Sequence, residues 1–180
     1  TAFVTCYDDG TVLHLTCIWD TNCGVVDIIA TGLDGPMGIA LSADGLSAFV
    51  ADADAGRVVQ VNLSTGVTST LANGFSYPFG IIVRNNSAFV TDTDAGRVVH
   101  VSLTTGANAT IASGLSYPQG IAFSADGMSI FVVENTGSVV QITRAAAADI
   151  SIAITIHVAT TFAALMNYWS SNWHSNYARS

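Results

Sequence analysis

The chain has 180 residues, half of them apolar and only a tenth charged, with a formal net charge of −8. One domain of that length can bury a genuine core, and so few charges leave solubility to Asp, Ser, Thr, Asn and any sugar the chain carries. There is no lysine, and Arg57, Arg84, Arg97, Arg144 and Arg179 form no basic cluster, which excludes nucleic acid and docking on anionic lipid.

The chain opens in mid-pattern without Met, which points to an upstream segment removed or left out. Its first stretch, Ala2-Phe-Val-Thr-Cys-Tyr-Asp-Asp-Gly-Thr-Val-Leu-His-Leu15, is one of four related runs. Cys17 and Cys23 then bracket an insertion, and a disulfide closing that loop would place the protein outside the reducing cytosol. Zinc is not indicated, because neither the cysteine spacing nor a nearby His suits it. Cys6, in the place of Asp52 and Asp92, reads as a small buried side chain rather than a reactive thiol.

The run at 48–66 returns at 88–106 with 14 of 19 positions identical, and more loosely from Ile130 to Ile142. Such a period of about forty residues marks a repeat architecture. In the second copy the strands fall at Gly38–Ser42, Ser47–Ala51, Arg57–Leu63 and Val67–Ala72, joined by tight turns rich in Asp and Gly. Four antiparallel strands repeated radially make the blade of a β-propeller. No helical period is sustained before residue 145. The expected fold is therefore all-β, a propeller-like array of about four four-stranded antiparallel blades with the first incomplete. The blades divide residues 1–145 at about 1–33, 34–74, 75–114 and 115–145, and a C-terminal strand and aromatic tail follow over 146–180.

Each later blade opens on Gly35-Pro-Met-Gly-Ile39, Tyr77-Pro-Phe-Gly-Ile81 or Tyr117-Pro-Gln-Gly-Ile121. With Phe-Val-x-Asp before the central turn and Gly-Arg-Val-Val-x-Val after it, these runs resemble NHL-type propeller blades over residues 2–143. Blade four departs, with Glu134 for Asp, a shorter turn, and Ser138 where Arg57 and Arg97 stand. The resemblance implies a ring of about six blades, whereas this chain holds just under four. A small ring closed by its own C-terminal segment, an open arc completed by another copy, and a piece of a longer protein all fit that count. Enzymes of this propeller group, lactonase-like or amidating-lyase-like, carry metal centres on the axis; no matching residue set is found here, so no catalytic residue is assigned.

Antiparallel geometry puts the turns at 52–56, 92–96 and 134–137 at one end, together with the connectors between blades. Asp52, Asp54, Asp92, Asp94 and Glu134 gather there as a candidate ligand or metal site. Their repetition in consecutive blades favours turn capping and Asp–Arg pairing over a single catalytic centre. An EF-hand is excluded, since Gly56 comes one place early and Leu63 or Leu103 stands where the bidentate carboxylate belongs. A looser site for Ca2+ or another divalent cation, fed by several blades, stays open. Ser76 and Ser116 lie in Gly-x-Ser-x-Pro, which is no nucleophile elbow. His14 and His100 share the third-strand position of Gln60 and Gln141, which makes them surface or inter-blade groups.

Sequons at Asn62, Asn85 and Asn108 fall in turns or an outer strand, away from the acidic end, and mark candidate glycosylation sites. Ile150, Ile152, Ile154 and Ile156 alternate on one face of a strand. That alternation, with three Thr and a His, disfavours a membrane span. Trp169, Trp173 and Tyr177 sit among small polar residues, a composition suited to an assembly interface or to packing over the chain's own propeller.

The sequence thus points to a secreted, non-catalytic module for self-assembly or protein interaction, such as a subunit of an extracellular filament or coat. Its expected partners are other copies of itself, with glycans second, and it needs no cofactor unless the acidic loops hold a cation. The alternatives are a metal-assisted lactonase- or lyase-like enzyme on the acidic face, and a ligand-binding receptor fragment.

Overall fold

Runs of five to seven residues rich in Val, Ile and Thr, punctuated by Asp, Asn and Gly, are too short for helices and favour pleated pairing. The computed structural model describes residues 2–16, 24–143 and 153–157, and these hold fifteen strands and no helix. The first sheet has three strands, β1 (Ala2–Cys6), β2 (Thr11–Thr16) and β3 (Gly24–Ala30), in that order. The second runs β4 (Pro36–Leu41), β5 (Ser47–Asp52), β6 (Arg57–Asn62) and β7 (Thr68–Asn73). The third runs β8 (Pro78–Arg84), β9 (Ser87–Asp92), β10 (Arg97–Ser102) and β11 (Asn108–Ser113). The fourth runs β12 (Pro118–Phe123), β13 (Ser129–Glu134), β14 (Val139–Thr143) and β15 (Ala153–His157). All neighbours are antiparallel, and the chain forms the expected propeller-type array with an incomplete first blade.

The inner strands begin two residues before the expected Gly38, because each Pro-x-Gly-Ile run carries a bulge. Pro78 pairs with Asp92 and Ile81 with Val90, so one extra residue is absorbed between them. The bulge brings a glycine against the next blade: a Cβ on Gly80 would collide with the Gln119 carbonyl oxygen, and one on Gly38 with that of Phe79. The alternating strand expected over 150–158 is described at 153–157, where it pairs with β14 and completes blade four, Ile154 opposite Ile142 and Ile156 opposite Val140. Ile150, Ile152, Trp169, Trp173 and Tyr177 lie outside the described residues, as do Cys17 and Cys23.

The core lies between blades rather than within them, because period-two alternation gives each sheet two apolar faces. The forward face of blade two (Phe49, Ala51, Val58) packs on the rear face of blade three (Val90, Val99, Val101). The same joint links blade one to two, Val12 and Leu33 against Val50 and Val59, and blade three to four, Val98 and Leu115 against Val132 and Val140. Each fully buried valine contributes about 1.5–3 kcal/mol of transfer free energy. The inner strands β4, β8 and β12 neighbour one another in that order, and β1, the equivalent of a second strand, contacts β4. Among the described residues no comparable packing joins the first sheet to the fourth, so the described strands form an open series of four blades.

Candidate functional site

The acidic end is built by hairpins whose geometry follows from chain register. Asp52 ends β5 and Arg57 begins β6 as its direct cross-strand partner. The Asp52 carboxylate is fully buried; its Oδ2 accepts from Arg57 Nε at 2.7 Å and its Oδ1 from the Asp34 backbone N–H at 2.6 Å. Asp92 repeats the arrangement, accepting from Arg97 Nε at 2.8 Å and from the N–H groups of Ser76 and Tyr77 at 2.8 and 2.9 Å. Arg97 Nη2 also donates to the Gly74 carbonyl at 2.7 Å. Each aspartate therefore ties a hairpin to the connector that enters its own blade. With both oxygens engaged inside the protein, Asp52 and Asp92 face an arginine and backbone amides rather than a solvent cleft.

Glu134 performs the connector half of this role in blade four, its Oε1 accepting from the Ser116 N–H at 2.7 Å. Ser138 stands in the arginine position, so the ion pair is replaced by a weak contact from Thr136 Oγ1 at 3.5 Å. Asp54 and Asp94 are exposed at the turn tips of different blades. Among the described residues no three His, Cys, Asp or Glu side chains come together as a cation set. What the fold does bring together is Tyr7, Asp54 and Tyr77. The Tyr7 hydroxyl donates to Asp54 Oδ2 at 2.7 Å, and this bond first, Tyr77 second, pushes its phenol well above the ordinary range. The signal for this inter-blade link was a tyrosine where blades two and three carry Ala53 and Thr93.

Cys6 is half-buried rather than buried, because β1 has no inner strand on its open side. Its Sγ donates to Asp9 Oδ2 at 3.3 Å, and that bond pushes the thiol pKa up, the opposite of nucleophile activation. The third-strand polar position is structural in three blades. Gln60, His100 and Gln141 reach Ser47, Ser87 and Ser129 on the adjacent strand at 3.1, 2.8 and 2.9 Å. His14 instead stacks on Phe3, ring centroids 5.1 Å apart.

At the end opposite the acidic loops, a groove of about 700 Å³ opens between blades three and four, lined by Arg84, Phe89, His100, Phe123, Met128 and Ile142 among others. Its cause is legible in the chain. Arg84 pairs with Ser87 across a two-residue turn, with Asn85 at φ 53°, where the equivalent hairpins of blades two and four are longer by two residues. The shortened hairpin uncovers the inter-blade seam, and the Arg84 guanidinium lies 5.5 Å from the Phe123 ring centroid. Asn62, Asn85 and Asn108 are all exposed. Asn62 Oδ1 accepts from the N–H groups of Ser64 and Thr65, Asn85 sits at the groove, and Asn108 Nδ2 donates to the Asn73 carbonyl.

No protein-family model matches the chain, and no curated protein matches it either. Solved structures do. A chain of Kuenenia stuttgartiensis hydrazine synthase superposes with a TM-score of 0.72 at 15% identity, over 87% of this chain and 46% of that one. A chain of a nidogen/laminin complex superposes with a TM-score of 0.63 at 17% identity, over 78% of this chain and 55% of that one. Both are β-propeller-type folds, and at these identities the likeness concerns the fold alone. The chain spans about half the length of each of these solved chains.

Proposed function

We propose that this β-propeller array is a non-catalytic module that works outside the cell by self-assembly with further copies, as a subunit of a larger structure such as a filament or coat. One observation carries the reading: the terminal blades expose large apolar side chains at positions that the inner blades bury, Val4 in blade one, where Val50 and Val90 are buried, and Val133 in blade four, where Ala51 and Thr91 are buried. Exposed apolar patches of this kind mark interaction surfaces. The engagement of Asp52 and Asp92 with arginine and backbone amides supports a structural over a catalytic acidic end. The NHL type of the blades rests on the repeated Pro-x-Gly-Ile openings and on the bulge they form. The extracellular setting rests on the Cys17/Cys23 loop and on three exposed sequons. Light scattering on the 180-residue chain tests the core of the proposal. Particles of several chain masses that grow with concentration support it, and a monomer at every concentration overturns it.

A further inference from the structure

The blades repeat one joint three times, and its two halves are left over at the ends of the series. On the rear side, Val4 and Leu13 occupy the positions filled by Val50 and Val59, Val90 and Val99, and Val132 and Val140 in the later blades. Val50, Val90 and Val132 are 0% exposed, whereas Val4 is 40% exposed. Val4 lies directly opposite Leu13, and Leu13 opposite Ile28, which is 61% exposed, so an apolar row crosses all three strands of blade one.

On the forward side, Val133 takes the place of Ala51 and Thr91, both buried, and Phe131 that of Phe49 and the half-buried Phe89. Phe49 is 3% and Ala51 0% exposed, against 36% for Phe131 and 41% for Val133. Gly120 completes the pattern. Its equivalents Gly38 and Gly80 are pressed against a neighbouring blade's backbone, but among the described residues a Cβ on Gly120 would meet only Val133 of its own blade, at 3.7 Å.

We propose that these two faces dock on each other between copies. The forward face of blade four in one chain seats on the rear face of blade one in a second copy, and the blade series continues head to tail. The occupant is a second copy because each leftover face is one half of the joint that the chain itself forms three times, always forward face against rear face. Neither apolar row carries a charge that would oppose the contact. The three-stranded blade one is no obstacle, since it already forms this joint with blade two. A heterologous contact of this sort closes into a ring if the rotation per copy divides the circle, and otherwise grows as a filament. This inference rests on the self-assembly reading and specifies its surface and polarity.

Two full-length variants test it, Val4→Glu and Val133→Glu, each blocking one half of the joint. Both positions are exposed in the single chain, and circular dichroism melts within a few degrees of the parent confirm that each variant folds. Light scattering is then run on the parent, on each variant alone, and on their equimolar mixture. The expected result is an assembling parent, two monomeric variants, and a mixture that forms one species of twice the chain mass and nothing larger. A variant that still assembles alone, or a mixture that stays monomeric beside an assembling parent, overturns head-to-tail docking and leaves self-assembly through another surface. A monomeric parent removes the self-assembly reading itself.

Discussion

Asp92 and Arg97 face each other as directly paired residues across the β9–β10 hairpin, with Arg97 Nε and Nη2 each 2.8 Å from the same carboxylate oxygen. Asp52 and Arg57 reproduce the pair one blade earlier. The aspartates are fully buried while the arginines keep part of their side chains in water, so the cost of breaking the pair lies mainly with the donors left without an acceptor. Asp92→Ala strands Arg97 and the N–H groups of Ser76 and Tyr77, and is expected to cost about 3 kcal/mol in urea unfolding. Asp94→Ala, at an exposed turn tip two residues away, is expected to change stability by less than about 0.5 kcal/mol. Equal effects at the two positions would contradict the division between structural and surface carboxylates.

Two equivalent glycines make opposite predictions. Gly80→Ala forces a Cβ into the Gln119 carbonyl of the next inner strand, where only backbone can move, and is expected to destabilise by about 2–3 kcal/mol. Gly120→Ala meets, among the described residues, only an ordinary contact with Val133, and the monomer should tolerate it within about 0.5 kcal/mol. Paired thermal melts at a concentration where the chain is monomeric check both, and an unaffected Gly80→Ala would deny the close approach of the inner strands.

The hairpin turns of blades two and four carry the acid dependence that can be followed locally. The Asp44 carboxylate accepts the Ser42 hydroxyl and the Leu46 N–H, and Asp126 accepts the Ser124 hydroxyl and the Met128 N–H. These bonds favour the charged form and hold both carboxyls below the ordinary value of 3.8. A folded pKa below the unfolded one means that the turns are fully supported above about pH 4 and lose that support as pH falls through the folded value. NMR titration of the carboxyl carbons should give midpoints below 3.8 for both groups, with Ser42→Ala moving Asp44 upward and leaving Asp126 in place. A normal Asp44 midpoint in the parent would remove the assignment.

The blade was legible because its signals are local and repeated. Phe49 and Phe89 return at one spacing, Gly56 and Gly96 turn the same hairpin, and alternation alone assigns Val50 and Val90 to one face. The Asp–Arg pairing of Asp52 and Asp92 was legible for the same reason, being set by hairpin register. What escaped depends on contacts between blades. The Tyr7–Asp54 bond links residues 47 positions apart and has no repeat to announce it. The groove beside Arg84 comes from two missing residues, which a strand-by-strand reading treats as an ordinary shorter turn. The half-exposure of Cys6 follows from the absence of an inner strand beside β1, a property of the sheet rather than of the residue.

Phe49 and Phe131 hold the same place in their blades, one in a filled joint and the other on the forward face of blade four. Phe49 is sealed by blade three, so Phe49→Ala leaves a cavity in a finished joint and is expected to cost about 3–5 kcal/mol. Phe131 has no following blade among the described residues, and in the monomer its truncation to Ala removes only a partly buried ring, for about 1 kcal/mol. Denaturant unfolding of both variants at monomeric concentrations checks the contrast. Equal losses would mean that the forward face of blade four is covered within the same chain and is not free to dock on a second copy.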